Sequence, residues 1–192
     1  MIAIRNLPQH LYGALMTVEN REYPGELASP QQVYELAEEY RKAANLLLQL
    51  GRPGKPLTRA PFRLSAIHAI ELYLTALLLH SGHNPNQIRK MQHDLSERTE
   101  YALEAGLRLR AKTANHLRSV SRNREYLITR YGPELAATAS QINRLTATLE
   151  EVAAKVTVLI GLSPKLQQVA PAAGREDQGP ESATSLSAAT AK

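Results

Sequence analysis

The chain has no cysteine and no tryptophan, a single phenylalanine (Phe62) and, among 18 acidic residues, only two aspartates, Asp94 and Asp177. Each scarcity closes a class of function. Without cysteine there are no disulfides, thiolate zinc sites or cysteine nucleophiles. Enzymes that hold metal ions with carboxylates draw freely on aspartate, so that class is disfavoured. The sequence contains no Gly-rich phosphate loop and no Gly-x-Ser-x-Gly nucleophile elbow. Long apolar runs are lacking too. The longest, residues 66–79, has 14 residues and contains His68, Glu71 and Thr75, short of the about 20 needed to cross a bilayer. The start, Met1-Ile2-Ala3-Ile4-Arg5-Asn6-Leu7-Pro8, has no charged region followed by an apolar one. The expectation is a soluble, cytoplasmic protein without a metal or cofactor.

What is present is helix. The 192 residues suit one domain plus extensions. The 11 prolines punctuate long proline-free stretches. Ser29-Pro30-Gln31-Gln32 reads as a capping box, Asn84-Pro85-Asn86-Gln87 repeats its logic, and Gly132-Pro133 separates two helices. Apolar spacing predicts helices over residues 30–50, 62–81, 94–109, 111–131 (with a break near 119–121) and 133–161, with a short turn at 85–91. The second should be the most buried, through Ile67, Ile70, Leu74, Leu77 and Leu78. No stretch shows sustained β alternation, so the fold class is an all-α, up-and-down bundle of about five helices. Residues 1–29 form an N-terminal extension, 30–163 the bundle, and 164–192, rich in Ala, Ser, Gln, Gly and Pro, a disordered tail.

The last helix carries a stricter pattern. Leu135, Ile142, Leu149 and Val156 recur every seven residues, and Leu145, Val152 and Leu159 recur with an offset of three. Such an a/d stripe packs either inside one bundle or as a dimer seam through Ile142, Leu145, Leu149, Val152, Val156 and Leu159.

Charge is concentrated. Residues 104–132 hold Arg108, Arg110, Lys112, Arg118, Arg122, Arg124 and Arg130 against Glu104 and Glu125, a net +5 equal to that of the whole chain. Arginine's planar fork suits phosphate. This segment is therefore the candidate surface for RNA, a nucleotide or an acidic protein partner, or else an ordinary solvated face.

Residues 66–79 (Ala66-Ile67-His68-Ala69-Ile70-Glu71-Leu72-Tyr73-Leu74-Thr75-Ala76-Leu77-Leu78-Leu79), the following Gly-containing turn, His93-Asp94-Leu95 and Tyr101-Ala102-Leu103 resemble the HEPN family (higher eukaryote and prokaryote nucleotide-binding domains). Arg130-Tyr131-Gly132-Pro133 is similar to an Arg-Tyr-Pro turn of that family. The resemblance covers about residues 30–160. It implies a helical bundle, often a homodimer, sometimes paired with a nucleotidyltransferase-like protein as in toxin–antitoxin or defence systems. Its catalytic members are metal-independent ribonucleases. Their motif is an Arg and a His with four to six residues between them, the Arg stabilising phosphate charge and the His removing the 2′-hydroxyl proton. Arg122-Asn123 looks like the start of that motif, but Leu127, Ile128 and Thr129 stand where the His belongs. Arg110 and His116 offer a looser pair, with Arg122 assisting. Two expectations follow: a non-catalytic binding module, or a ribonuclease using Arg110, His116 and Arg122. A purely structural dimer is a third.

The remaining histidines have simpler readings. His80, His83 and His93 could make a three-His metal site but are expected to be solvated turn residues. His68 reads as a core or interface residue. His93-Asp94 resembles the HD phosphohydrolase pair, which needs a further distant Asp, and only Asp177 in the tail remains. Glu71, on the most apolar helix, needs a buried partner, expected to be an Arg from the basic segment.

Overall fold

A computed structural model describes residues 23–161, which form seven α-helices with no strand among the described residues. Five have ten residues or more: α1 (Pro30–Leu48), α2 (Ala60–His80), α4 (Leu95–Glu104), α5 (Ala111–Arg122) and α7 (Ile142–Ile160). Two are short, α3 (Pro85–Lys90) and α6 (Glu125–Tyr131). The fold is the expected all-α bundle. Most of the expected extension at 1–29, and all of the expected tail at 164–192, lie outside the described residues.

Local chemistry sets the boundaries. Ser29 Oγ accepts from the Gln32 amide at 3.2 Å, and the Gln32 side chain accepts from the Ser29 amide at 2.9 Å. This is the reciprocal cap that the sequence announces for α1. At the other end of α1, Arg59 Nη1 donates to the Leu48 carbonyl at 2.7 Å. Gly51 makes room for that arginine, because a Cβ there would lie 2.1 Å from its side chain.

Three expected boundaries move. The helix expected over 94–109 stops at Glu104, because Gly106 turns left-handed (φ 97°) and the Leu107 amide closes back on Ala102. The break in the helix expected over 111–131 falls at Arg124 (φ 50°), beyond residues 119–121. The last helix does not begin at Pro133. A 3₁₀ turn, Pro133–Leu135, intervenes, and α7 starts only at Ile142. The Ser140 amide and hydroxyl donate to Glu125 at 2.9 and 3.0 Å, which holds residue 140 out of a helix.

The core is organised around α2. Phe62, Ala66, Ile67, Ala69, Ile70, Tyr73, Leu74, Ala76, Leu77 and Leu78 are all buried, so apolar groups occupy every side of this helix. α1, α4, α6 and α7 surround it. The stretch Pro56–His80 is long and apolar enough to cross a membrane by length and composition; here the surrounding helices satisfy it. α7 lies antiparallel to α1, pinned by Tyr34 Oη to Thr157 Oγ1 at 2.8 Å and Arg41 to Glu150 at 2.9 Å.

The dimer-seam expectation is corrected by this packing. Leu145, Leu149, Val152 and Val156 are fully enclosed within one chain, in the same cluster as Phe62, Ile70 and Leu117. Ile142 packs on the edge of that cluster, and only Leu159 stands 40% exposed. The stripe is spent inside the bundle. Leu149→Ala is therefore expected to cost about 2–5 kcal/mol through loss of core packing, with a urea midpoint independent of protein concentration. A midpoint that rises with concentration in wild type and not in the variant would place the seam between chains.

Candidate functional site

The basic segment divides into cations that are paired and cations that are not. Arg110 is the N-cap of α5. Its amide and Nε both donate to Glu151, at 2.8 and 2.6 Å, and Thr113 Oγ1 and Lys155 Nζ complete the carboxylate's shell at 2.5 and 2.9 Å. Burial opposes ionisation of Glu151. The hydrogen bonds from Thr113, Arg110 and Lys155 overcome it and bring the carboxyl down to about 2. Arg110 is thus a clamp between α5 and α7. Arg118 is held by Glu100 at 2.7 Å and by Asn115 at 2.9 Å. By contrast Arg108, Lys112, Arg122, Arg124 and Arg130 are exposed and make no ion pair among the described residues.

His116 does not face a cleft. It is 1% exposed, and its Nδ1 meets Thr148 Oγ1 at 2.7 Å while Nε2 has no partner. Desolvation, helped by the nearby Arg144 and Arg63 guanidiniums, pulls it down to about 4. Arg110 and Arg122 remain at the surface. The expected catalytic set Arg110, His116 and Arg122 is therefore not assembled. The α5 face that carries His116 is the face that packs on α7, so a spacing compatible with the motif delivers a core residue.

The other histidines separate. His80 is exposed, and His83 stacks edge-on to Tyr101 at 5.7 Å. No group of three His, Cys, Asp or Glu is placed to hold a metal among the described residues. Asp94 serves as a cap, accepting from the Ser96 and Glu97 amides and from Ser121 Oγ at 2.8, 3.1 and 2.6 Å. His68 is half-buried, edge-on to Tyr40 at 4.4 Å, its Nδ1 unpartnered, and desolvation lowers it from its usual value.

Glu71 finds partners that the sequence reading did not name. One oxygen lies 3.0 Å from His93 Nδ1, the other 3.5 Å from Arg98 Nη2. The arginine comes from α4, not from the basic segment, because it is α4 that packs Arg98 against α2. Arg98 also donates to Thr75 Oγ1 at 2.9 Å and to the Gln92 carbonyl at 2.6 Å. Gln92 adopts a left-handed φ of 48°, a strain that a fixed loop tolerates. These side chains line a groove of about 1230 Å³, walled by Leu36, Leu72, Leu79 and Ile88.

The cluster and the basic segment share one edge. The Ser121–Asp94 bond ties the end of α5 to the start of α4, and the His93 ring lies 5.2 Å from that of Tyr126 on α6. A carboxylate at Nδ1 favours the tautomer protonated there and leaves Nε2 as the proton acceptor. Among the described residues His93, with 39% of its side chain exposed, is the one imidazole with both an orienting carboxylate and access to solvent. The sequence signal for it was indirect: a lone carboxylate on the most apolar helix, and a histidine just before a helix cap.

No family model matches this chain, and no curated protein or solved structure matches it significantly.

His116 generates a stability prediction. In the fold it stays neutral down to about 4, whereas unfolded it takes up a proton near its ordinary 6.5. The unfolded state thus binds more protons in that window, and stability falls as pH drops through it, by roughly 3 kcal/mol at the limit. His68 acts in the same direction. His116→Gln, which can still meet Thr148, should flatten the dependence in urea unfolding between about pH 7 and pH 4.5. An equal loss in wild type and variant contradicts the assignment.

Proposed function

We propose that the chain is a HEPN-like helical bundle that binds single-stranded RNA through its basic edge, as a binding module. The observation that carries this reading is that five exposed cations, Arg108, Lys112, Arg122, Arg124 and Arg130, have no acidic partner among the described residues, in the segment that holds the chain's whole net charge. Cations already neutralised by carboxylates gain little from a phosphate. Unpaired ones release counterions when they meet it. The expected binding at about 50 mM salt weakens steeply as salt rises. Arg122→Ala, Arg124→Ala and Arg130→Ala should each weaken it across sequences and reduce the salt slope by about one. No measurable binding at low salt overturns the proposal.

One observation favours a second reading, a metal-independent ribonuclease. The buttressed His93 sits beside Tyr126, and its neighbour Asp94 is bonded to Ser121, the residue before the Arg122-Asn123 pair where the resembling family begins its motif. In that chemistry His93 Nε2 takes the 2′-hydroxyl proton, the 2′-oxygen bonds to phosphorus as the bond to the 5′-oxygen breaks, and the leaving 5′-oxygen takes a proton from water. Arg122 or Arg130 would offset the charge that builds on the phosphate. The assay is RNA cleavage in EDTA. This reading expects cleavage that His93→Ala lowers by about 10²–10⁴-fold and that Glu71→Gln also lowers. Absence of cleavage in wild type leaves the binding module alone.

A further inference from the structure

The loop Arg52-Pro53-Gly54-Lys55 runs into a 3₁₀ turn, Pro56–Arg59. Across the start of α2 this turn faces the end of α6. Between them lies a recess of about 180 Å³, walled by Pro56, Leu57, Ala60, Ile128, Tyr131 and Pro133. Its surface is unusual in three respects.

First, Tyr131 is 76% exposed, and Leu57 beside it is also exposed. An aromatic ring left on the surface at the edge of an apolar hole offers a stacking face. Second, Arg63 lines the recess while only 7% exposed. Its Nη1 reaches Glu125 at 3.4 Å and its Nη2 donates to the Ser140 carbonyl, but its Nε is buried without a partner. That Nε is enclosed by protein, so Arg63 serves as a fixed wall of the recess, held from behind by Glu125 and Ser140. Third, exposed cations flank the recess on both sides. Arg130 lines it directly. Arg52 and Lys55 line an adjoining recess of about 570 Å³ that shares Pro56, Arg63 and Ala136. None of these three makes an ion pair among the described residues.

The dimensions narrow the ligand. Drug-sized molecules occupy roughly 300–1,000 Å³, so this recess takes a single ring system. Cations on two sides call for two phosphates separated by that ring, which a strand supplies and a mononucleotide does not. We infer that the recess is a subsite for one unpaired base of single-stranded RNA. The base stacks on Tyr131 and fills the recess against Pro56, Leu57 and Ile128. The flanking phosphates lie at Arg130 on one side and at Arg52 and Lys55 on the other. This rests on the RNA-binding reading above and adds a place where bases, as distinct from phosphates, are felt. It also brings into the interface a loop that adds two cations to those of residues 104–132.

The test compares a short uridine oligomer with an abasic ribose-phosphate oligomer of the same length, on full-length protein, across a salt series. The uridine oligomer is expected to bind tighter. Tyr131→Ala should remove about tenfold of that affinity, since stacking on an aromatic ring is sequence-tolerant but needs the ring. The same variant should leave the salt slope and the abasic oligomer's affinity unchanged. Tyr131→Phe should behave as wild type. Lys55→Ala should lower the slope by about one for both oligomers. Because Tyr131 and Lys55 are exposed, circular dichroism should report an unchanged fold for these variants. Equal binding of the two oligomers, with Tyr131→Ala silent, overturns the base subsite and leaves the phosphate reading standing. Failure of both oligomers to bind at low salt overturns the two together.

Discussion

A helix that is apolar on every side cannot stay folded in water unless other elements enclose it, and α2 is such a helix. The rest of the bundle follows from that requirement. α1 and α7 cover two of its sides and pin each other through Tyr34–Thr157 and Arg41–Glu150. α4 and α6 close the remainder. Glu71 is the one carboxylate on α2, and its desolvation must be compensated. Arg98 and His93 do this. In meeting the demand of α2 the chain places an oriented imidazole at the edge of a large groove.

The electrostatics divide along the same lines. Where α5 packs on α7, Glu151 consumes Arg110 and Lys155, and Glu100 on α4 consumes Arg118. Where α5 ends and α6 begins, no acid among the described residues pairs with the cations. Glu125 is the acid nearest in sequence, but it is buried and occupied by Arg63 and Ser140. The sequence therefore overstates the number of basic groups available in this segment, seven, and the fold leaves five. Arg122, Arg124 and Arg130 lie toward the end of α5 and along α6, whereas Arg108 and Lys112 stand at the start of α5, where Lys155 and Arg144 of α7 reach their carbonyls.

Much of the fold was legible from residues alone. The Ser29–Gln32 capping box, the helix over 30–50 and the burial of the Ile67–Leu78 stripe are local or periodic features, and the structure has them. What periodicity cannot say is against what a stripe packs. The Ile142–Leu159 heptads fit an inner face or a dimer seam, and the position of α2 decides for the inner face. The same limit governs His116. Its spacing from Arg110 suits a motif, but the register of α5 on α7 turns it into the core against Thr148. Glu71 announced a need for a partner without naming it, because Arg98 lies 27 residues away on another helix. The helix expected from Pro133 fails for a related reason: Ser140 is held by Glu125, a contact across 15 residues that no local propensity records. The site is thus less legible than the fold, since it is made of pairings between elements.

The central claim is that single-stranded RNA lies along the edge formed by the end of α5, α6 and the loop before α2. Photo-crosslinking a 4-thiouridine-substituted oligomer to the full chain, followed by peptide mapping, tests it directly. The account expects adducts in residues 122–131 and 52–59, competed away by unlabelled RNA and by rising salt. Adducts confined to the exposed faces of α1 and α7, or none above background at low salt, would contradict it.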